Sequence, residues 1–154
     1  MFNIRVYGIF INEKKQILLS DEFIRGKYYT KFPGGGLKKG EGTRDCLKRE
    51  FQEEMMLNVE VLEHIYTTDF YQQSAFNPND QIISIYYSVQ PLEEITFSLT
   101  NKKFDFTEDQ LNIYKEKSEI ETFRFEDIET FSEKNVSLPI DKIVAKIIKE
   151  RYSV

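Results

Sequence analysis

A glycine-rich turn leads into a charged segment where the sequence reads Gly34-Gly35-Gly36-Leu37-Lys38-Lys39-Gly40-Glu41 and, after seven residues, Arg49-Glu50-Phe51-Gln52-Glu53-Glu54. On a helix, at about 100° per residue, Glu50, Glu53 and Glu54 fall within roughly a 100° arc of one face. Like charges on one helical face repel each other, so the bare helix gains nothing from them. A hard divalent cation turns this repulsion into a net attraction, because Mg²⁺ and Mn²⁺ take oxygen ligands from carboxylates and phosphates. The pattern therefore predicts a metal site that binds a phosphate ester.

The spacing of these residues resembles the Nudix box of the MutT-like hydrolases, written G-x5-E-x7-R-E-U-x-E-E-x-G-U with U apolar. Gly35, Glu41 and the segment 49–57 match it at strict spacing, and Phe32-Pro33-Gly34 resembles the residues that precede the box. One position departs from the pattern, since Met56 stands where the box has glycine.

The resemblance implies an α/β fold, the Nudix-type α/β/α sandwich with a mixed β-sheet between helices. It also implies a single Nudix hydrolase domain over residues 1–154. Hydrophobic periodicity predicts a strand hairpin from segments 3–11 and 16–19, a helix over 43–57, a strand over Glu119–Phe125 and a helix over Ile140–Tyr152. Further strands are predicted over Val59–Thr67 and Gln81–Val89, the second of which is rich in Ile and Tyr. Residues 91–118 are polar and hard to assign, with one candidate short helix near Glu108–Glu116.

The box helix has its own start and stop signals. Thr43 is a plausible N-cap, and Leu47, Phe51 and Met55 form an apolar stripe at four-residue spacing. Because a methionine is strained in the left-handed conformation that glycine adopts at helix ends, we expect the helix to pass through Met56 and end near Asn58.

The resemblance also implies roles for the carboxylates. Glu50 and Glu54 would hold the metal directly, Glu53 would be a further ligand or contact its water, and the Gly34 carbonyl would also coordinate. Which carboxylate is the general base stays open. The catalytic candidates are Arg49, Glu50, Glu53, Glu54 and Glu119. The role of Glu119 has two rivals on neighbouring residues, Glu116 and Glu121.

The remaining box residues are expected to support the site. Gly34, Gly35 and Gly36 keep side chains away from a loop that must expose its carbonyls and amides to a ligand. Glu41 and Arg49 are expected to form an ion pair that ties this loop to the helix.

Substrate identity must be recognised outside the box, because the box grips only phosphates. The loop from Asp69 to Asp80 carries three aromatic residues that are hard to explain as core in such a polar segment. They can stack on a base, or one or two of them cap the edge of the sheet instead. The expected substrate-binding residues are Tyr28, Tyr29, Lys31, Phe70, Tyr71 and Phe76. Residues 91–118 are the alternative location for specificity.

The composition of the chain limits which molecules it is expected to bind. The net charge of −5 argues against a duplex nucleic-acid binder, and no apolar run is long enough to cross a membrane. A single cysteine, Cys46, and a start without a signal-peptide pattern suggest the cytoplasm. The expected partner is a small phosphorylated substrate such as a nucleoside diphosphate derivative, and a homodimer is compatible with the sequence.

Three functions compete for this pattern. The leading one is a Mg²⁺- or Mn²⁺-dependent hydrolase of a nucleoside diphosphate linked to X, or of a nucleoside triphosphate. A non-catalytic metabolite sensor is the alternative, and the intact carboxylates weigh against it. An isomerase of the isopentenyl-diphosphate type would need a catalytic cysteine outside the box helix, whereas Cys46 lies inside it.

Overall fold

The computed structural model describes residues 1–152. Its elements, in chain order, are β1 (Phe2–Ile9), β2 (Gln16–Ile24), β3 (Lys27–Lys31), β4 (Gly34–Gly36), α1 (Thr43–Met55), β5 (Val59–Thr67), β6 (Gln81–Pro91), β7 (Leu99–Thr100), α2 (Glu108–Lys117), β8 (Glu119–Asp127), a 3-10 turn (Glu133–Asn135) and α3 (Pro139–Tyr152). The contacts group them into two compact units. The first unit holds residues 1–10 and 33–97, and the second begins with residues 11–32 and resumes at residue 98.

The first unit is a four-stranded sheet with one helix on its face. The strand order is β4-β1-β6-β5, with β1 parallel to β6 and the other two pairs antiparallel. A Cβ added to Gly8 of β1 would lie 2.8 Å from the ring of Phe51 in α1, so strand and helix approach closely. Leu47, Phe51 and Met55 are buried, which confirms the predicted apolar stripe of the helix.

The second unit is a sheet of order β3-β2-β8-β7, with β7 parallel to β8 and the other pairs antiparallel. Asp21 of β2 is fully buried and accepts hydrogen bonds of 2.7 Å from Thr30 of β3 and from Arg124 of β8. A buried carboxylate is stable only with such partners, so this group ties three strands together. Helix α3 buries an apolar stripe of its own, Ile140, Val144, Ala145 and Ile148.

The predicted α/β class is confirmed, and each of the two sheets is mixed. The β5 strand has the predicted bounds, and the strands and helices predicted near β6, α2, β8 and α3 are present with ends shifted by one or two residues. Strand-like composition was a sufficient signal for the strands, and apolar residues at helical spacing were a sufficient signal for α3.

The predicted hairpin between segments 3–11 and 16–19 is wrong. Within residues 1–152, β1 pairs with β4 and β6, whereas β2 pairs with β3 and β8. The turn itself forms, because the Asn12 side chain accepts from the amides of Lys14 and Gln16, but it closes only an isolated bridge between Ile11 and Ile17. Alternation identifies a strand without naming its partner, which is why the sequence pattern misled here.

Both predicted ends of the box helix also need correction. Gly42 is the N-cap and makes no side-chain cap bond, while Thr43 is the first helical residue and shares a 2.7 Å hydrogen bond with the Tyr87 hydroxyl. At the other end the helix stops at Met55, and Met56 adopts the left-handed conformation with φ 50° and ψ 40°.

Packing explains why Met56 accepts this conformation. Its amide donates to the Gln52 carbonyl at 3.0 Å, which caps the helix in the way that a glycine would. Leu57 is then buried while the Met56 side chain is 67% exposed. Burial of Leu57 contributes about 1.5–3 kcal/mol and outweighs the roughly 1–2 kcal/mol of strain at Met56.

This strain predicts that Met56→Gly stabilises the protein. Glycine removes the strain of about 1–2 kcal/mol but adds roughly 0.5–1 kcal/mol of backbone entropy to the unfolded chain. We therefore expect the free energy of unfolding, measured by urea denaturation, to rise by up to about 1.5 kcal/mol. Met56→Ala is the matched control, since it removes the same exposed side chain but keeps the Cβ. Equal stabilities of the alanine and glycine variants would contradict the strain.

Candidate active site

The glycines at residues 34–36 form β4, an edge strand of the first unit. Hydrogen bonds from the Gly8 amide to the Pro33 carbonyl (2.8 Å) and from the Leu37 amide to the Ile4 carbonyl (2.9 Å) fix its register against β1. In such an antiparallel pair the main-chain groups of Gly34 and Gly36 point away from β1. The predicted metal-binding carbonyl of Gly34 therefore lies on the open edge of the sheet.

Gly35 is sterically required at its position. A Cβ added there would overlap the carboxylate of Glu50 on α1. A Cβ on Gly34, where φ is 153°, would overlap the Val6 carbonyl. Glycine thus allows helix and strand to bring a carboxylate directly over the main chain of β4.

Arg49 connects the elements of the box. Its Nε and Nη2 donate to the two carboxylate oxygens of Glu41 at 2.9 and 2.6 Å, so the ion pair predicted between these residues is present. Nη2 also donates to the Gly36 carbonyl at 3.0 Å. Nη1 donates to Glu50 at 2.9 Å and to Glu53 at 3.2 Å. One guanidinium therefore joins the loop, the β4 strand and two carboxylates of α1.

These bonds change the titration of the groups involved. The hydrogen bond from Arg49, followed by one from the Lys38 amide, lowers the pKa of Glu41 from 4.5 to about 2. The same bond raises the pKa of Arg49. Both groups stay charged at any pH at which the protein would work, so the pair acts as a fixed link and not as a proton donor.

Cys46 is sealed within the same cluster. Its thiol is fully buried, 3.5 Å from the Gly36 carbonyl. Burial, and then the negative charge of Glu41, raises the pKa of this thiol to about 12. A thiol that is neutral and buried is a packing group, so a catalytic role for Cys46 is not supported.

The donor set of α1 suits a hard divalent ion. Glu50 is largely buried, Glu54 is half-buried, and the side chain of Glu53 is 54% exposed. Within residues 1–152 no three acidic, histidine or cysteine side chains already converge on one point. Glu50 and Glu53 instead share one cation, Arg49 Nη1, and only a glycine leaves room for the Glu50 carboxylate. Carboxylate oxygens around a position that attracts positive charge fit Mg²⁺ or Mn²⁺.

The predicted aromatic loop belongs to the first unit. Phe70 and Phe76 are 38% and 39% exposed and Tyr71 is 69% exposed. The Ser74 side chain holds the loop by accepting from the amides of Phe76 and Asn77. All three rings of this loop are therefore partly exposed to solvent, and Tyr71 is the most exposed of them.

The remaining predicted residues belong to the second unit. Lys31 is buried and paired with Glu22 at 3.1 Å. Tyr28 is 57% exposed and stacks on Phe23, with ring centroids 4.4 Å apart, while Tyr29 is half-buried.

The three acidic candidates of the second unit differ in their surroundings. Glu119 and Glu116 are exposed, whereas the half-buried Glu121 accepts a 3.0 Å hydrogen bond from Ser20. Ser20 also lies 3.3 Å from Glu22, the residue opposite Glu121 in the strand register. Of the three, Glu121 is the one held in a polar network.

Arg5, which is not among the predicted site residues, also lies beside β4. In the structure its Nη1 lies 3.4 Å from where a Cβ of Gly36 would be. The signal lies in the strand register, which pairs Arg5 with Gly36, and a register cannot be derived from β1 alone.

Comparison with known proteins agrees with this geometry. The structure resembles the solution structure of the E. coli ORF135 protein (TM-score 0.70, 14% identity, 99% of this chain and 91% of that chain). It also resembles a NUDIX hydrolase from Nitrosomonas europaea (TM-score 0.67, 16% identity, 98% and 90%). A third similar structure is an ADP-ribose pyrophosphatase from Streptococcus suis (TM-score 0.54, 16% identity, 99% and 92%). At these identities the likeness establishes the fold.

Membership of a family rests on the sequence. No curated protein sequence matches the chain significantly. None of the helices described in residues 1–152 has the length and apolar character needed to cross a bilayer. The model of the NUDIX domain matches residues 1–147. Because this match spans nearly the whole chain, and the box residues assemble as described, the chain belongs to the Nudix domain family.

Proposed function

We propose that this protein is a Mg²⁺- or Mn²⁺-dependent pyrophosphohydrolase. Its substrate would be a nucleoside diphosphate linked to a further group X, or a nucleoside triphosphate. The observation that carries the proposal is the placement of Glu50 and Glu53 around one cationic position, with the Glu50 carboxylate over Gly35. A solvated charged helix would not require a glycine beneath one of its carboxylates.

The surroundings of each box residue suggest a different role for it. Glu50, Glu54 and the Gly34 carbonyl would hold the ion, which supplies charge neutralisation at the phosphoryl oxygens and lowers the pKa of bound water. Glu53, the most exposed of the three carboxylates, would contact that water. Arg49 orients Glu50 and Glu53 through Nη1 and keeps them in place through Glu41.

The partners follow from charge and composition. An acidic protein with one reduced cysteine suits a small anionic metabolite in the cytoplasm better than duplex nucleic acid. The similarity to an ADP-ribose pyrophosphatase supports testing ADP-ribose beside nucleotide sugars, dinucleoside polyphosphates and nucleoside triphosphates. Binding without turnover across this panel, with Mg²⁺ present, would support a metabolite sensor instead. A homodimer and a single domain over residues 1–154 are part of the proposal.

The proposed metal site predicts that Glu54→Gln removes most of the activity and leaves the fold intact. A neutral amide cannot balance the charge of the metal, and loss of such a group lowers the rate by about 10²–10⁴. Steady-state kinetics with Mg²⁺, alongside circular dichroism, measure both effects. Glu60→Gln, at an exposed position of β5, is the matched control and should keep the wild-type rate. Near wild-type turnover in Glu54→Gln would contradict the mechanism.

The Glu41–Arg49 pair generates a prediction about acid stability. The pKa of Glu41 is about 2 in the folded protein and 4.5 without the pair, so the folded state binds this proton less readily. Stability from the pair is therefore complete above pH 4.5 and is lost as the pH falls towards 2.

Glu41→Gln should accordingly lower the Tm near neutral pH, and its difference from wild type should shrink between pH 4.5 and pH 2. Thermal unfolding followed over this range is the measurement, with Glu60→Gln as the control. A difference that stays constant with pH would show that the pair does not account for the lowered pKa.

The aromatic loop generates a prediction about specificity. Stacking of a base on Tyr71 contributes about 1–3 kcal/mol, so Tyr71→Ala should raise KM by roughly 5- to 100-fold or change the ranking of substrates. Its metal dependence should stay that of wild type. Leu62→Ala, at an exposed apolar residue of β5 outside both candidate segments, is the control. If Tyr71→Ala and Phe76→Ala both keep the wild-type KM and ranking, specificity resides elsewhere, with residues 91–118 the first alternative.

A further inference from the structure

Arg5 places a positive charge beside β4, and the function proposed above assigns no role to this residue. It stands opposite Gly36 in the antiparallel pairing of β1 with β4. Its Nη1 lies 3.4 Å from where a Cβ of Gly36 would be. The residue as a whole is half-buried.

The guanidinium is held in position by a buried aromatic pair. Arg5 Nε donates to the Tyr7 hydroxyl at 3.0 Å, and its Cζ lies 5.9 Å from the centre of the Tyr7 ring. Tyr7 in turn packs against the fully buried Tyr86, with ring centroids 5.3 Å apart. An arginine restrained in this way loses less entropy when it binds an anion.

Charged side chains from neighbouring elements lie on both faces of β4, with the Arg49-paired Glu50 on one face and Arg5 on the other. Side-chain directions alternate along a strand, and the three glycines follow that rule. The missing side chain of Gly35 points at the Glu50 carboxylate, whereas those of Gly34 and Gly36 point at Tyr7 and Arg5. Since β4 is an edge strand without side chains, only its main chain separates the carboxylate from the guanidinium.

We propose that Arg5 binds a phosphoryl group of the substrate. The substrate then crosses β4 at Gly34 and Gly35, because the Gly36 carbonyl is already bonded to Arg49. One phosphoryl group lies on the carboxylate side and another against the Arg5 guanidinium. A guanidinium matches two phosphoryl oxygens through parallel N–H donors. This inference rests on the proposed hydrolase function and adds a substrate-binding residue to it.

The test compares Arg5→Ala and Arg5→Lys with wild type on the best substrate of the panel. Loss of a charge-assisted hydrogen bond should raise KM roughly 10- to 100-fold in Arg5→Ala, with kcat much less affected. Arg5→Lys should recover part of the loss, because it restores the charge without the paired donors. Arg151→Ala, an exposed arginine of α3, controls for the change in net charge and should keep the wild-type KM.

Tyr7→Phe separates binding from a structural role. It removes the hydroxyl that orients Arg5 and keeps the buried ring, so it should raise KM by less than Arg5→Ala does. Thermal unfolding of each variant checks the fold. A folded Arg5→Ala protein with the wild-type KM would overturn the proposal, as would a loss of kcat without a change in KM.

The two proposals fail in distinguishable ways. If wild type hydrolyses its substrate and Arg5→Ala keeps the same KM, only the role of Arg5 is wrong. If wild type hydrolyses nothing in the panel, the hydrolase function is wrong. Calorimetric binding of inorganic pyrophosphate with Mg²⁺ then tests Arg5 directly. Binding that is equal in both proteins, or absent from both, would overturn the role of Arg5.

Discussion

The first unit depends on the hydrogen bonds and ion pairs that the Arg49 guanidinium makes. Alone, the carboxylates of α1 repel each other and the loop before the helix has little to hold it. Arg49 reduces the repulsion because it pairs with Glu50 and Glu53 of the helix. It also holds the loop, because it pairs with Glu41 and with the main chain of β4. The carboxylates that we propose as metal ligands can therefore fold around a cation supplied by the chain itself.

Charge neutralisation by Arg49 would affect the metal binding that we propose. Arg49 Nη1 touches Glu50 and Glu53, whereas its bonds to Glu41 involve the other nitrogens. A metal that draws Glu50 and Glu53 towards itself can weaken the first contacts without breaking the link to the loop. Arg49 would then serve as the support of the site in the loaded protein and as its counter-charge before loading.

The sequence was informative wherever a local pattern decides the outcome. The spacing of the box predicted the Glu41–Arg49 pair, and periodicity predicted most strands and helices. It failed where a distant partner decides. The pairing of β1, the position of Arg5 beside Gly36 and the buried Asp21–Arg124 pair all depend on strand register, which one segment does not encode. Met56 belongs to the same class, because burial of Leu57 overrides its local preference.

The buried thiol of Cys46 gives the molecule a built-in reporter of its own motions. With a pKa of about 12 and no exposure to solvent, the thiol is almost unreactive while α1 stays seated against β4. It becomes reactive only when the helix lifts or the chain unfolds. The rate at which a thiol reagent modifies Cys46 then reports how often α1 separates from β4. A ligand that contacts both α1 and β4 would lower this rate.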